Sequence, residues 1–227
     1  METASKIFKT ARIIGILLAV VAILLSVRGT KNENNLPEGF FTPIIALEFI
    51  QNTQQVLHFF DVKDPVTYEA DLIFGNNVDY LFMTLYSLLI FCIALGIYKI
   101  NQSKLMFPVM IFSVVMLLSD AFENRQIAQI IFYYKTAPIE SFLSLLSIFT
   151  WLKWSAIASS FLMFSSYFLK GNWFYKIIGG LGIACFILCI AAFLQHGILN
   201  EIFALSIILE FLLLIIFVFR FKGIQIV

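Results

Sequence analysis

Charge is scarce in this chain, and so are the residues that build most catalytic and metal sites. Lys, Arg, Asp and Glu make up 13% of 227 residues, about half the share in a soluble domain. That excludes a self-contained water-soluble fold. With 61% of residues hydrophobic, the composition is that of an integral membrane protein of one domain. A formal net charge of +1 excludes a general polyanion-binding surface, so nucleic acid is not an expected partner. There are only two histidines, His58 and His196. Neither lies in a His-Glu-x-x-His, His-x3-His or Glu-x-x-His arrangement, so no zinc or di-iron site is expected. The three cysteines, Cys92, Cys185 and Cys189, all fall inside apolar runs, which argues against a disulfide framework. Cys185 and Cys189 stand one helical turn apart and read as small core residues. A P-loop, a dinucleotide fingerprint and a Gly-x-Ser-x-Gly elbow are all missing. So is the transporter pattern of two matching halves with broken helices. No cofactor and no metal is expected, and no catalytic residue can be named.

What the chain has in abundance is long apolar runs. A helix needs about 20 mostly apolar residues to cross the hydrocarbon. Six stretches meet that length approximately: 11–27, 78–98, 105–130, 142–168, 174–195 and 200–219. The first follows Lys6, Lys9 and Arg12, as a signal peptide would. The "SVRGT" after it lacks a small-x-small cleavage pattern, so it reads as an uncleaved anchor. With the N-terminus in the cytoplasm, Lys99, Lys104, Lys170, Lys176, Arg220 and Lys222 also fall on the cytoplasmic side. Arg28, Lys31, Lys63, Arg125 and Lys135 fall outside, so the basic residues favour the inside, as the positive-inside rule requires. The expected fold class is an all-α integral membrane helix bundle of six transmembrane helices, with both termini cytoplasmic.

Between the first two spans, "KNENNLPEG" reads as a loop. A helix over about 43–60 is expected next, with Thr42 as N-cap and Pro43 at the first helical position. Glu48, Gln51, Asn52 and Gln55 form a polar stripe on it, against an apolar face that includes Phe49, Ile50 and Val56. This is an extracytoplasmic amphipathic helix, lying on the surface or tucked against the bundle.

The few ionisable residues inside the spans locate a candidate site. At a rise of about 1.5 Å per residue, Asp120 lies roughly 22 Å from the cytoplasmic edge, with Glu123 and Asn124 just above on the same face. Lys153 comes out roughly 16 Å deep in the fourth span and Glu210 about 15 Å deep in the sixth. Asp79 and Tyr86 share a face of the second span. A charge at the bilayer centre costs about 2.5–3.5 kcal/mol on insertion scales. Lys153 must therefore face the bundle interior and meet acidic groups. Asp120, Glu123 and Asn124 are its expected partners, Asp79 and Tyr86 a second wall, and Glu48 a roof.

Blander readings stay open beside this one. The Asp120–Asn124 turn also fits a helix reaching the headgroups. Lys153–Glu210 also fits a packing ion pair that fixes helix order. Asp79, after "GNN", also fits a helix N-terminal cap. Trp151 and Trp154 read as packing or depth anchors.

The order "ALEF" (46–49), "DYLFMTLY" (79–86), "SDAFEN" (119–124) and "LKW" (152–154) resembles a group of uncharacterised bacterial multi-pass membrane proteins. They carry Asp-x2-Phe-x3-Tyr, Asp-x2-Glu-Asn and Lys-Trp elements in that order. The resemblance covers roughly residues 40 to 160 and implies that Glu48, Asp79, Tyr86, Asp120, Glu123, Asn124 and Lys153 belong to one feature. In a bacterium the bundle would sit in the inner membrane. The resemblance brings no activity, cofactor or substrate.

Three functions fit these residues. One is a polar intramembrane pocket that binds or moves a small amphiphile or ion, or holds a partner protein. Another is an intramembrane enzyme using Asp120 or Glu123 as acid or base on a lipid or isoprenoid. The third is a structural or assembly subunit without a site. The only expected partner common to all three is the lipid bilayer.

Overall fold

The computed structural model describes residues 2–28 and 35–221. Residues 31–34, read above as part of a loop, and the basic tail from Lys222 lie outside the described residues. The chain is all-helical among those described. The elements are α1 (Glu2–Arg28), α2 (Pro43–Glu48), α3 (Thr53–Phe59), α4 (Pro65–Asn101), α5 (Met106–Tyr133), α6 (Glu140–Phe168), α7 (Trp173–Leu194) and α8 (Ile198–Arg220). Six of them, α1 and α4–α8, are long and apolar enough to cross a membrane.

The six long helices form a closed ring in chain order. Each packs on the next, and α1 closes the circuit by packing on both α4 and α8. The closure is specific. Arg12 of α1 donates through Nε to the carbonyl of Val218 (2.7 Å) and through Nη2 to that of Phe221 (2.5 Å). Those are C-terminal carbonyls of α8 with no partner in their own helix, which a guanidinium suits well. Phe8, fully buried, packs edge-on against Phe217 and beside Phe221 at the same end. Rings of α8 fill the middle of the circuit: Phe203 lies against Trp154, and Phe211 against Tyr86 and Phe161. Gly182 lets α7 approach α6, since a Cβ there would sit 2.6 Å from the carbonyl oxygen of Phe161.

The segment between α1 and α4 is a cap over one end of the ring. Its amphipathic character is as expected, but it is two short helices rather than one. The chain breaks at residues 49–52 because Asn52 caps a new start: its side chain accepts from the Gln55 amide (2.9 Å), and Gln55 Oε1 accepts from the Gln51 amide (2.8 Å). The bend lets Leu47, Ile50, Val56, Phe59 and Phe60 all bury into a second apolar core, with Tyr68, Ile127, Ile130 and Leu146 below. Pro43 does start α2, yet Thr42 makes no side-chain cap. Its hydroxyl serves Glu201 instead (2.7 Å), and the same carboxylate accepts from the amides of Phe41 (3.0 Å) and Thr42 (2.8 Å). Glu201, buried on the first turn of α8, thereby pins the cap's entry.

The second span begins thirteen residues before the expected 78, at Pro65, with Asp64 capping the Thr67 amide (3.2 Å). Asp79 is therefore mid-helix and is no N-cap. At about 1.5 Å per residue α4 is about 55 Å long, so its first turns stand above the hydrocarbon and support the cap. There Glu69 accepts from the Tyr134 hydroxyl (2.6 Å) and from Lys135 (2.7 Å), tying α4 to the end of α5.

Candidate functional site

Lys153 sits near half the length of α6, on the face turned into the ring, with its side chain 7% exposed. A β-carbon that leans toward the helix N-terminus aims the ammonium at the cap side. There it meets three carboxylates. Nζ lies 2.6 Å from Glu123 Oε2, 3.1 Å from Glu48 Oε2 and 3.5 Å from Asp120 Oδ1. Asp120 and Glu123 come from one turn of α5, whose spacing of three puts both on the same face. Glu48 comes from the last turn of α2 and is the cap's contribution. It turns inward, away from the solvated stripe that its spacing with Gln51 and Asn52 suggested.

Further bonds tie the group to every neighbouring element. Thr150, one turn above Lys153 and fully buried, donates to Glu123 Oε1 (2.9 Å) and approaches the Glu48 carbonyl (3.3 Å). Trp154 donates its indole N–H to Glu48 Oε2 (2.9 Å). Tyr86 of α4 donates its hydroxyl to Asp120 Oδ2 (2.5 Å). Asn124 donates to Asp79 Oδ2 (2.7 Å), and its carbonyl accepts from buried Asn76 (3.1 Å). The structure thus brings Glu48, Asp79, Tyr86, Asp120, Glu123, Asn124 and Lys153 together as two adjacent bonded sets, one around Lys153 and one around Asn124. It also adds Asn76, Thr150 and Trp154, which the sequence reading did not place in the site. Asn76 was missed because the span was started too late; from Pro65, Asn76, Asp79, Met83 and Tyr86 recur on one helical face.

Glu210 does not join. It is fully buried on α8, yet neither carboxyl oxygen has a hydrogen-bond partner among the described residues, and Lys153 pairs elsewhere. The reason is register. Phe203, not Glu210, is the α8 residue that lies against Trp154 beside the lysine. Glu210 follows Phe203 by seven residues, so it stands about 10 Å farther from the cap.

Compared with known protein families, with curated proteins and with solved structures, the chain matches none. The site has to be interpreted from its own chemistry.

That chemistry is a surplus of acid in a closed space. Glu48, Asp120 and Glu123 contact a single ammonium, and Asp79 stands behind them on Asn124. Asp120 and Glu123 are 3% and 0% exposed. Glu48 belongs to the cap, outside the spans, and burial holds its carboxyl above the ordinary value of 4.5, with Lys153 pulling in the opposite direction. No group of three or more His, Cys, Asp or Glu among the described residues is arranged to hold a metal ion. Above the network, Gln51, Asn52, Thr53 and Gln54 of the cap and Glu140, Ser144 and Ser147 of α6 line an open groove of about 590 Å³. Ser147 is one turn from Thr150, so the groove ends just over the buried group.

Proposed function

We propose that this is a multi-pass membrane protein whose closed polar centre takes up and releases a proton. The observation that carries this reading is the ratio of three carboxyl groups to the one ammonium they contact, with the Asp79 carboxyl close by, behind a closed cap. Surplus negative charge sealed from water is costly unless protons or a bound cation balance it. An amphiphile headgroup would have to displace Glu48 or Lys153 from their mutual contact, whereas a proton would not. Acid/base chemistry on a lipid finds no support in this geometry, because the carboxylates face Lys153, Thr150 and Tyr86 rather than an open cleft. The groove beside Ser147 is the approach from water. The distribution of basic residues favours both termini in the cytoplasm and the cap outside, and the resemblance to bacterial multi-pass proteins favours the inner membrane of a bacterium.

The test is the melting temperature of the purified protein in detergent at fixed ionic strength. The pH is varied between 5 and 8, and at each pH a bulky organic cation is replaced in turn by lithium, sodium and potassium. Proton uptake by the native state raises the melting temperature by several degrees with falling pH, whichever of these cations is present. The double variant Asp120→Asn/Glu123→Gln abolishes that response. A wild-type melting temperature indifferent to pH, or one that rises for one metal ion alone, sinks the reading.

A further inference from the structure

A second groove opens on the other side of the α5–α6 pair, sideways toward the membrane rather than toward the cap. Its volume is about 350 Å³. Its floor is apolar: Phe122 and Phe149 stack with ring centres 5.1 Å apart, and Leu145 lies alongside. Its upper end carries the polar side chains Arg125, Gln126 and Gln129 of α5, with Phe142 of α6 across from them. Arg125 lies nineteen residues along α5 from Met106, about 28 Å, which is where a hydrocarbon layer of about 30 Å gives way to headgroups. The groove therefore changes from apolar to cationic at the depth where a phospholipid does the same.

The charges around it sharpen the match. Arg125 is exposed, and among the described residues no carboxylate lies within ion-pair distance of it. The acids nearest in sequence are engaged elsewhere. Asp120 and Glu123 face the ring and hold Lys153, and Glu140 accepts from Thr53 of the cap (3.0 Å). The groove lining contains no Asp or Glu at all.

We propose that this groove binds one anionic phospholipid, its phosphate on Arg125 and Gln129 and an acyl chain along Phe122, Leu145 and Phe149. A guanidinium suits a phosphate through paired charge-assisted hydrogen bonds. A zwitterionic lipid offers the same phosphate, but its ammonium finds no acidic partner in this lining. Net negative charge is therefore what the groove selects. The site is separate from the buried centre and does not depend on the function proposed for it.

The experiment is native mass spectrometry of the full chain released from nanodiscs that hold equal phosphatidylglycerol and phosphatidylcholine. The wild type is expected to retain one phosphatidylglycerol in preference to phosphatidylcholine by about tenfold, the order of one charge-assisted bond. Arg125→Gln is expected to bring that preference near unity with an unchanged melting temperature, because Arg125 makes no side-chain hydrogen bond or ion pair among the described residues. Leu145→Trp, which fills the slot, is expected to release both lipids. Equal retention of the two lipids by the wild type overturns the proposal, as does an unaltered preference in Arg125→Gln. Displacement of the lipid by millimolar glycerol phosphate overturns the acyl-chain half, since a headgroup alone would then suffice.

Discussion

Lys153 and Glu210 sit in the same membrane and meet opposite fates. The lysine touches three carboxylates, and removing it leaves those acids buried together. Lys153→Met is expected to destabilise the native state by about 3–5 kcal/mol, the usual consequence of deleting one partner of a buried pair. Glu123→Gln leaves the ammonium two further carboxylates, so a smaller loss is expected. Unfolding in a graded detergent series measures both, and a Lys153→Met loss no larger than that of Glu123→Gln would mean the ammonium is not the hub. Glu210 has the reverse logic. Neither of its oxygens is bonded, so Glu210→Met removes an unsatisfied polar group at little packing cost. Stability is expected to hold or rise by about 1 kcal/mol. A clear loss in the same assay would show that the carboxyl has a partner in the working protein.

At the scale of elements the cap deserves the closest look, because two acids from opposite directions hold it. Glu201 rises from α8 to take two cap amides and the Thr42 hydroxyl, while Glu48 reaches down to Lys153 and Trp154. Glu201→Gln is expected to speed amide hydrogen exchange across residues 40–60 while leaving the long helices protected. Uniform exchange in both regions would refute a separately held cap. Glu48 also gives the cap a pH dependence with a definite sign. Its carboxyl titrates above 4.5 when folded, so from that value upward the native state holds more proton than the unfolded chain. Stability then falls as pH rises through the window. The groups facing it are Lys153 and Trp154 of α6 and Asp120 and Glu123 of α5, and Glu48→Gln is expected to flatten the slope in a pH series of cap exchange. Much of this element was legible beforehand: Pro43, the polar stripe and Glu48 as a roof. The break at Asn52 was not, because side-chain caps compete with helix propagation over distances that periodicity ignores. The anchor on Glu201 was not either, since nothing in a local window links Thr42 to a residue 159 positions away.

For the molecule as a whole, the number of spans and the inward turn of Lys153 followed from the high cost of charge in hydrocarbon. Hydropathy reads that cost directly, which is why the six helices stand close to their expected places. The exceptions are α1, whose first nine residues include Lys6 and Lys9, and α4, whose polar first turns carry Asp71, Asn76 and Asn77; such starts hide helix that hydropathy alone does not extend. Which acid meets the lysine is a matter of register between α6 and α8, and that depends on packing such as Phe203 on Trp154. Side-chain depth alone had left Asp120 and Glu210 equally eligible.

The two clasps of the cap also set an order of events in biosynthesis. Residues 40–60 are made long before Lys153, Trp154 and Glu201. Glu48 gains its partners once α6 is in place, whereas Thr42 and the amides of residues 41 and 42 gain theirs only with α8. The second clasp can close only after the last helix enters. A chain truncated after α7 is therefore expected to insert its first five spans normally and yet leave residues 40–60 open to added protease.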